Sequence, residues 1–400
     1  MNRKEFVSNC LRMGIGLPLL SPVLAFLEKN EKGQTHPPKH TGKILIVGAG
    51  AAGMAAGYLL HSLGYDFSIL EAGNEIGGRI KKDADFVDFP IDLGAEWIHT
   101  HPRVLSEILR HEDFKDQFDT MDYSPQTIQT WKNENLHSRN YLKAFYGEWK
   151  FKRSTWFDFF EKNVFSPIQD RILFGKAVQE IDYSGESVNI KTETGETFSA
   201  DKVLITPSIK VLQSGMIRFS PELPEEKTSS LQKIYMGEGI KVFISFRECF
   251  YPDFLMFGPV LKAISDENKF YYNASFGKDS DQHVLGLLAI NEKAKPYLNA
   301  GSDTELIRII LEELDSVFGG KASQNYLKHI SQNWSAEPYI QGAYSYTYDG
   351  SKKKIIEAIS RPIAGKLAFA GEALSLDNNS MVHGACESGF AAVRALIDSS

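Results

Sequence analysis

The chain has 400 residues, of which 51 are Asp or Glu and 44 are Lys or Arg, so its formal net charge is −7. This length is enough for two or three domains, and the acidic balance argues against nucleic acid as a partner. The three cysteines, Cys10, Cys249 and Cys386, are too few and too irregularly spaced for a disulfide framework or a zinc site. We therefore expect no metal site.

The first predicted element is an N-terminal export signal over residues 1–28. The basic start MNRKEF precedes the apolar stretch GIGLPLLSPVLAFL, which is too short and too rich in Gly and Pro to cross a bilayer as a plain helix. The segment resembles a bacterial twin-arginine signal in which Lys4 follows Arg3. The alternative is an amphipathic N-terminal helix on a cytoplasmic protein. A polar linker with paired prolines is predicted over 29–42, and we expect a periplasmic or exported protein with no transmembrane helix in the mature chain.

A βαβ unit that binds an adenine dinucleotide is predicted next, from ILIVGAGAAGMAAG at 44–57. The apolar run ILIV predicts a buried parallel strand, and Gly48, Gly50 and Gly53 form G-x-G-x-x-G before a helix that starts near Ala51. The second strand, FSIL, ends at Glu71, where a carboxylate suits ribose hydroxyls. The alternative is a tight structural turn that binds no ligand.

Two further glycine-bearing segments favour a flavin over a nicotinamide. LEAGNEIGGRI brings Gly78 and the cation of Arg79 to a second diphosphate contact, which a nicotinamide-binding Rossmann unit does not need. IDLGAEWIH carries Gly94 and Ala95, whose small size allows backbone to approach a flat ring. Near the C-terminus, KLAFAGEAL leads into the glycine-spaced helix MVHGACESGFAAVRAL, which again joins small residues to a helix N-terminus.

These motifs, in this order, resemble the flavin amine oxidase superfamily over roughly residues 43–398. The resemblance implies an α/β fold, α+β overall, with a Rossmann-like FAD-binding domain assembled from discontinuous segments and a substrate domain of mixed sheet and helices. The implied FAD-binding segments are 43–105, 171–232 and 363–400. The implied substrate-domain segments are 106–170, which is aromatic-rich and reads mostly as core, and 233–362.

The resemblance also assigns the cofactor site. Ala343 stands where covalently flavinylated members carry a cysteine, so we expect noncovalent FAD. Val178 matches a position whose backbone meets the adenine, and Glu96 is either a buried flavin-loop carboxylate or exposed. The implied FAD-binding residues are Gly48, Gly50, Ala52, Gly53, Glu71, Ala72, Gly78, Arg79, Gly94, Ala95, Glu96, Trp97, Val178, Trp334, Gly371, Glu372, Met381 and Val382.

Three side chains are the catalytic candidates. Lys241 interrupts an apolar strand and matches the lysine that holds a water against flavin N5; the alternative is a strand-edge lysine with its head in solvent. Tyr344 matches an aromatic wall beside the flavin, whereas Met381 replaces the tyrosine common on the opposite wall. His99, in WIH, is either an amine-binding or proton-handling group or a structural histidine bonded to backbone.

The predicted function is a FAD-dependent oxidase of primary or secondary amines, monoamine or polyamine-like, with dioxygen as the acceptor. The hypothesis is hydride transfer from the α-carbon to flavin N5, followed by imine hydrolysis and peroxide release. The alternatives are an L-amino-acid oxidase, for which Arg139, Arg153 or Arg247 would bind the carboxylate, a desaturase or porphyrinogen-type flavoenzyme, and a flavin-binding protein without turnover.

Overall fold

The computed structural model describes residues 42–110, 118–145, 147–258 and 269–398. The predicted export signal, and all of the predicted linker except Gly42, lie outside these residues. The strands, in chain order, are β1 (Ile44–Val47), β2 (Phe67–Leu70), β3 (Lys82–Asp83), β4 (Ile91–Asp92), β5 (Thr120–Tyr123), β6 (Ile128–Lys132), β7 (Asn135–Ser138), β8 (Glu148–Phe151), β9 (Ile172–Leu173), β10 (Val178–Asp182), β11 (Val188–Thr192), β12 (Thr197–Ala200), β13 (Lys202–Ile205), β14 (Arg218–Ser220), β15 (Ile234–Gly237), β16 (Gly239–Phe246), β17 (Phe254–Phe257), β18 (Lys269–Asn273), β19 (His283–Ile290), β20 (Tyr326–Asn333), β21 (Ala343–Tyr348) and β22 (Leu367–Phe369).

The helices are spread along the same residues. The α-helices are α1 (Ala51–Ser62), α2 (Val104–Leu109), α3 (Trp156–Phe160), α4 (Ile209–Gln213), α5 (Glu225–Gln232), α6 (Lys295–Leu298), α7 (Asp303–Phe318), α8 (Lys321–Asn325), α9 (Lys352–Ser360) and α10 (Val382–Asp398). Short 3₁₀ or π turns cover Asn140–Phe145, Glu161–Phe165, Ser166–Arg171, Asn291–Lys293 and Glu372–Leu374.

A five-stranded parallel sheet forms the first half of the fold. Its order is β22-β13-β1-β2-β9, so strands from widely separated parts of the chain meet in one sheet. The four residues of β1 are buried, as expected for the centre of a sheet that is covered on both faces. Helices α1 and α10 pack closely on each other, because a Cβ at Gly389 would overlap the carbonyl oxygen of Ala52. The prediction of a Rossmann-like unit built from discontinuous segments is confirmed.

A seven-stranded mixed sheet forms the second half, in the order β20-β16-β19-β18-β17-β6-β7. Its neighbours are antiparallel except for the β17–β6 pair. Helix α7 covers one face with the apolar stripe of an amphipathic helix; Ser302 caps its start by accepting a hydrogen bond from the Glu305 amide, and Gly319 ends it in a left-handed conformation. The remaining sheets are small, with β10, β11, β12 and β14 in one and β15–β21, β3–β4 and β5–β8 as pairs.

The segment predicted as substrate domain over 106–170 divides between both halves. Strands β6 and β7 join the seven-stranded sheet, whereas Phe151, Trp156, Phe159 and Phe160 are buried in the core around α1. The interpretation of its aromatic residues as mostly core agrees with this burial. Trp156, Phe159 and Phe160 lie on α3, which Thr155 and Asp158 begin with a reciprocal capping box. The domain boundaries stay a prediction.

Candidate active site

One cavity of about 1410 Å³ lies between the glycine-rich turns of the parallel sheet and the face of the seven-stranded sheet. Every site residue predicted from the sequence lines it except Gly53. Gly53 lies behind the first turn, where a Cβ would overlap the carbonyl oxygen of Gly48. Its role is therefore the close packing of α1 on the turn, and its assignment as a residue that contacts the cofactor is not supported by its position.

The first two glycine turns interlock at the end of β1. Gly48 has φ +99°, and a Cβ there would stand 2.8 Å from Thr206 Oγ1, so both its conformation and its space require glycine. The amide of Gly77, itself at φ +104°, donates to the carbonyl of Ala49 at 2.9 Å. The sequence separated these turns by more than twenty residues, and the fold stacks one on the other.

This double turn has the form of a cradle for a dinucleotide. A Cβ on Gly78 would stand 3.6 Å from the Cα of Gly50, in the gap between the turns. In the described structure no side chain caps the start of α1 at Gly50, so the first amides of this twelve-residue helix are available to an anion. The residues present therefore fit a bound diphosphate.

Glu71 braces the same turn from the end of β2. Its carboxylate accepts the amides of Ala49 at 2.6 Å and Gly73 at 2.8 Å. Burial raises the pKa of Glu71 against the opposing effect of these backbone donors. The side chain lines the cavity, and its predicted contact with ribose hydroxyls stays a prediction.

Arg79 and Glu372 join two walls of the cavity by an ion pair of 2.8 Å. Glu372 also accepts hydrogen bonds from the Ser345 amide (3.1 Å), the Ser345 hydroxyl (2.5 Å) and the Ser380 amide (3.0 Å). Its carboxylate thus ties the loop after β22 to β21 and to the loop before α10. The predicted cation at the second glycine pair is in place, already paired with a carboxylate.

The far end of the cavity is built on one row of the seven-stranded sheet. Cross-strand pairing places Lys241 opposite Leu288, Leu288 opposite Phe270, and Phe270 opposite Met256. These four side chains line the cavity together with Phe254, two residues before Met256 on β17. Only Lys241 of this row was predicted from the sequence, because neighbours across a sheet leave no signal in a single strand.

Lys241 is 3 % exposed and is held by three acceptors. Its ammonium donates to the carbonyls of Asp92 (2.8 Å) and Gly94 (3.1 Å). The third bond, of 2.8 Å, goes to Glu96 Oε2. Burial lowers the pKa of Lys241 while the Glu96 charge opposes that shift. The alternative of a solvent-exposed head is wrong, and the ammonium clamps the loop that carries Gly94 and Glu96; a role in holding a water stays a prediction.

Glu96 is a buried carboxylate, 5 % exposed, between two lysines. Oε1 pairs with Lys150 and Oε2 with Lys241, and Tyr272 donates its hydroxyl to Oε2. Burial alone would raise the pKa of Glu96, but the two ammonium groups outweigh it and lower the pKa to about 2. Of the two interpretations left open by the sequence, the buried carboxylate is confirmed.

His99 faces the cavity with a carboxylate behind it. Its Nδ1 lies 3.1 Å from Oε2 of Glu148, a residue that is 1 % exposed. His383, also in the cavity lining, is neutral because burial, and then the proximity of His99, lower its pKa to about 3. The Glu148 contact holds His99 by a side chain instead of by backbone alone.

Aromatic and sulfur-containing side chains complete the walls. Tyr344 lies on β21 together with Tyr346 and Tyr348, which are two and four residues further on and also line the cavity. Trp334 is buried and donates its indole N–H to the carbonyl of Leu93 at 3.2 Å. Met381 lines the same cavity at the start of α10. The alternation AYSYTY was visible in the sequence and could have identified Tyr346.

The arginines considered for a substrate carboxylate are elsewhere. Arg247 donates to the carbonyl of Gln324, Arg139 to that of Ser138, and Arg153 pairs with Asp119. Among the described residues the cavity lining includes one arginine, Arg79. No group of three or more His, Cys, Asp or Glu residues in the described ranges is arranged to hold a metal ion.

Comparison with known proteins agrees with this geometry. The family described as flavin containing amine oxidoreductase matches residues 51–152 and 166–397. Polyamine oxidase 1 of Zea mays is 24% identical over 456 residues, which cover 89% of this chain and 90% of that protein. Lysine-specific histone demethylase 1B of Mus musculus is 25% identical over 442 residues, but the match spans 89% of this chain and only 53% of the demethylase.

The fold also resembles solved structures at low sequence identity. Cyclohexylamine oxidase from Brevibacterium oxydans superimposes with a TM-score of 0.73 at 17% identity, covering 90% of this chain and 99% of that one. The chain belongs to the flavin-containing amine oxidoreductase family, and FAD is its implied cofactor. Within the described residues no helix is long and apolar enough to cross a membrane.

Proposed function

We propose that the protein is a FAD-dependent amine oxidase that binds FAD noncovalently along this cavity and oxidises a primary or secondary amine, monoamine or polyamine-like, at the aromatic end. The observation that carries the proposal is that three features line one continuous cavity. They are the double glycine turn at Gly50 and Gly78, the loop held by Lys241, and the side chains of Phe254, Met256 and Phe270. The cavity volume of about 1410 Å³ exceeds the roughly 300–1,000 Å³ of a pocket for one drug-sized ligand. A dinucleotide and a substrate fit such a space together.

A flavin bound in this cavity would supply the redox chemistry, as the acceptor of a hydride from the substrate α-carbon and the donor of electrons to dioxygen. The protein supplies binding and orientation. Tyr344 and Tyr346 offer aromatic faces to an amine, and Phe254, Met256 and Phe270 exclude water from an apolar substituent. His99, held by Glu148, is the polar group on this wall for the amine or its proton.

The amino-acid oxidase alternative needs a cation for the substrate carboxylate. The cations in the described lining all have partners: Lys241 has three acceptors and Arg79 has Glu372. The remaining lining lysines, Lys81, Lys176 and Lys352, contact Glu337, Glu196 and Asn379 in turn. Arg139, Arg153 and Arg247 are bonded to residues outside the lining. These contacts favour a substrate without a carboxylate.

The test is the absorption spectrum of the purified protein, repeated anaerobically with a panel of monoamines, polyamines and L-amino acids. We expect a flavin spectrum that amines bleach and L-amino acids do not. Bleaching by L-amino acids alone would assign the alternative substrate class, and a flavin that none of them reduces would refute the oxidase. An α-deuterated amine should slow the bleaching if hydride transfer limits it.

We also propose export by the N-terminal segment 1–28, on the basis of its basic start and short apolar stretch. Fractionation of bacterial cells that express the full chain tests it. We expect activity in the periplasmic fraction, and its loss from that fraction when Arg3 and Lys4 are both changed to Gln. Activity confined to the cytoplasm would favour the amphipathic-helix alternative.

A further inference from the structure

Strand β8 places two buried charges behind the loop that lines the cavity. Glu148 and Lys150 are both 1 % exposed and lie two residues apart, on the same face of the strand. Between them, Trp149 joins Ile98 by two backbone hydrogen bonds of 2.7 and 3.2 Å. These bonds fix the strand beside the loop that carries Ile98. On either side of that bridge, Glu148 contacts His99 and Lys150 pairs with Glu96.

Lys150 is outside the cavity lining and contacts two lining residues, Glu96 and Trp97. Its ammonium lies over the rings of Tyr123 at 4.9 Å, Tyr272 at 5.4 Å and Trp97 at 5.8 Å. Aromatic faces attract a cation in this position. Lys150 thus pairs with one oxygen of Glu96, while Lys241 pairs with the other.

Two ammonium groups share one carboxylate in this cluster, because Lys150 and Lys241 both pair with Glu96. Two further buried carboxyl groups belong to the same region. Glu148 contacts His99, and burial, and then the Glu96 charge, raise the pKa of Asp92 to about 8. Lys278 donates to the carbonyl of Phe151 at 2.9 Å. Lys150 therefore adds a positive charge to a buried cluster beside the cavity wall.

We propose that Lys150 is a positioning residue with two effects. It fixes Glu96, and through Glu96 the Lys241 ammonium, and its positive charge makes a flavin in this cavity easier to reduce. Two-electron reduction adds negative charge to the flavin, and a buried positive charge nearby favours the more negative form because the low local dielectric screens it weakly. The inference rests on the proposed function, since it takes this cavity as the flavin site.

The test measures the flavin midpoint potential in the holoenzyme, the Lys150→Met variant, the Glu96→Gln variant and the double variant. Lys150→Met should lower the equilibrium constant for two-electron reduction roughly tenfold, which is about 30 mV to more negative potential. Glu96→Gln should shift the potential the opposite way, and the double variant should return close to wild type. Lys152→Met is the matched control, because Lys152 is on the same segment but pairs with Asp279 outside the cluster.

The proposal is overturned if Lys150→Met has the wild-type potential, or if the double variant is as negative as Lys150→Met. If Lys150→Met does not accumulate as folded protein, the midpoint potential of Glu96→Gln is compared with that of the double variant. These two proteins differ only at Lys150, so equal potentials would refute the proposal. The flavin content of the wild type is measured first. A wild type that binds no FAD refutes the proposed function, whereas flavin-loaded variants with unchanged potentials refute only the role of Lys150.

Discussion

Lys241→Met separates the clamp seen in the structure from the water-holding role implied by the sequence. The change removes three hydrogen bonds from a charged donor, to Asp92, Gly94 and Glu96. Removing one partner of a buried ion pair costs about 3–5 kcal/mol. Glu96 keeps its contacts with Lys150 and Tyr272, and the variant no longer bears the cost of burying the lysine charge. We therefore expect the free energy of unfolding to fall by about 2–3 kcal/mol, at or just below the lower end of that range.

Thermal unfolding of the apoprotein is the assay. A loss of this size lowers Tm by about 2–4 °C, because a chain of 400 residues has an unfolding entropy of about 2.1 cal/mol/K per residue near Tm, and flavin retention should fall because the clamped loop lines the cavity. Lys191→Met, at an exposed strand position, is the control and should leave Tm unchanged. An apoprotein as stable as that control, combined with slower reoxidation by dioxygen, would refute the clamp and leave the water-holding role alone.

Three further outcomes follow from the site. Glu148→Gln should lower kcat/KM for the amine by roughly tenfold with normal flavin content, because His99 loses a charged partner; an unchanged pH–rate profile and kcat/KM would contradict this. His383 has a folded pKa of about 3, below its unfolded value of about 6.5; its contribution to stability is complete above pH 6.5 and is lost as the pH falls towards 3, at up to roughly 1.4 kcal/mol per pH unit. A His383→Asn variant with the same acid dependence of urea unfolding would exclude it as the source. Gly94→Ala would drive a Cβ into the carbonyl oxygen of Arg79. It should lower the free energy of unfolding by about 1–3 kcal/mol and reduce the bound FAD; normal flavin content would show that the loop can move.

The sequence predicted the glycine turns that line one end of the cavity, and the contact of their residues with the cofactor stays a prediction. The positions of Gly48, Gly78 and Glu71 follow local rules, because a tight turn, a close backbone approach and a strand-end carboxylate each have a signature in consecutive residues. Gly53 belongs to the same motif, but the structure places it in the packing of α1 on the first turn and outside the cavity lining.

The tertiary structure alone decided the electrostatics around Glu96 and Lys241. Glu96 is 145 residues from Lys241 in the chain and 176 from Tyr272, and no local pattern specifies such pairs. Glu148 and Lys150 occupy a segment whose aromatic residues were predicted to be mostly core, yet a four-residue strand aligns them with the cavity loop. Local sequence fixes backbone conformation through short-range sterics and hydrogen bonds, whereas the partners of a buried charge depend on which distant strands the fold brings together.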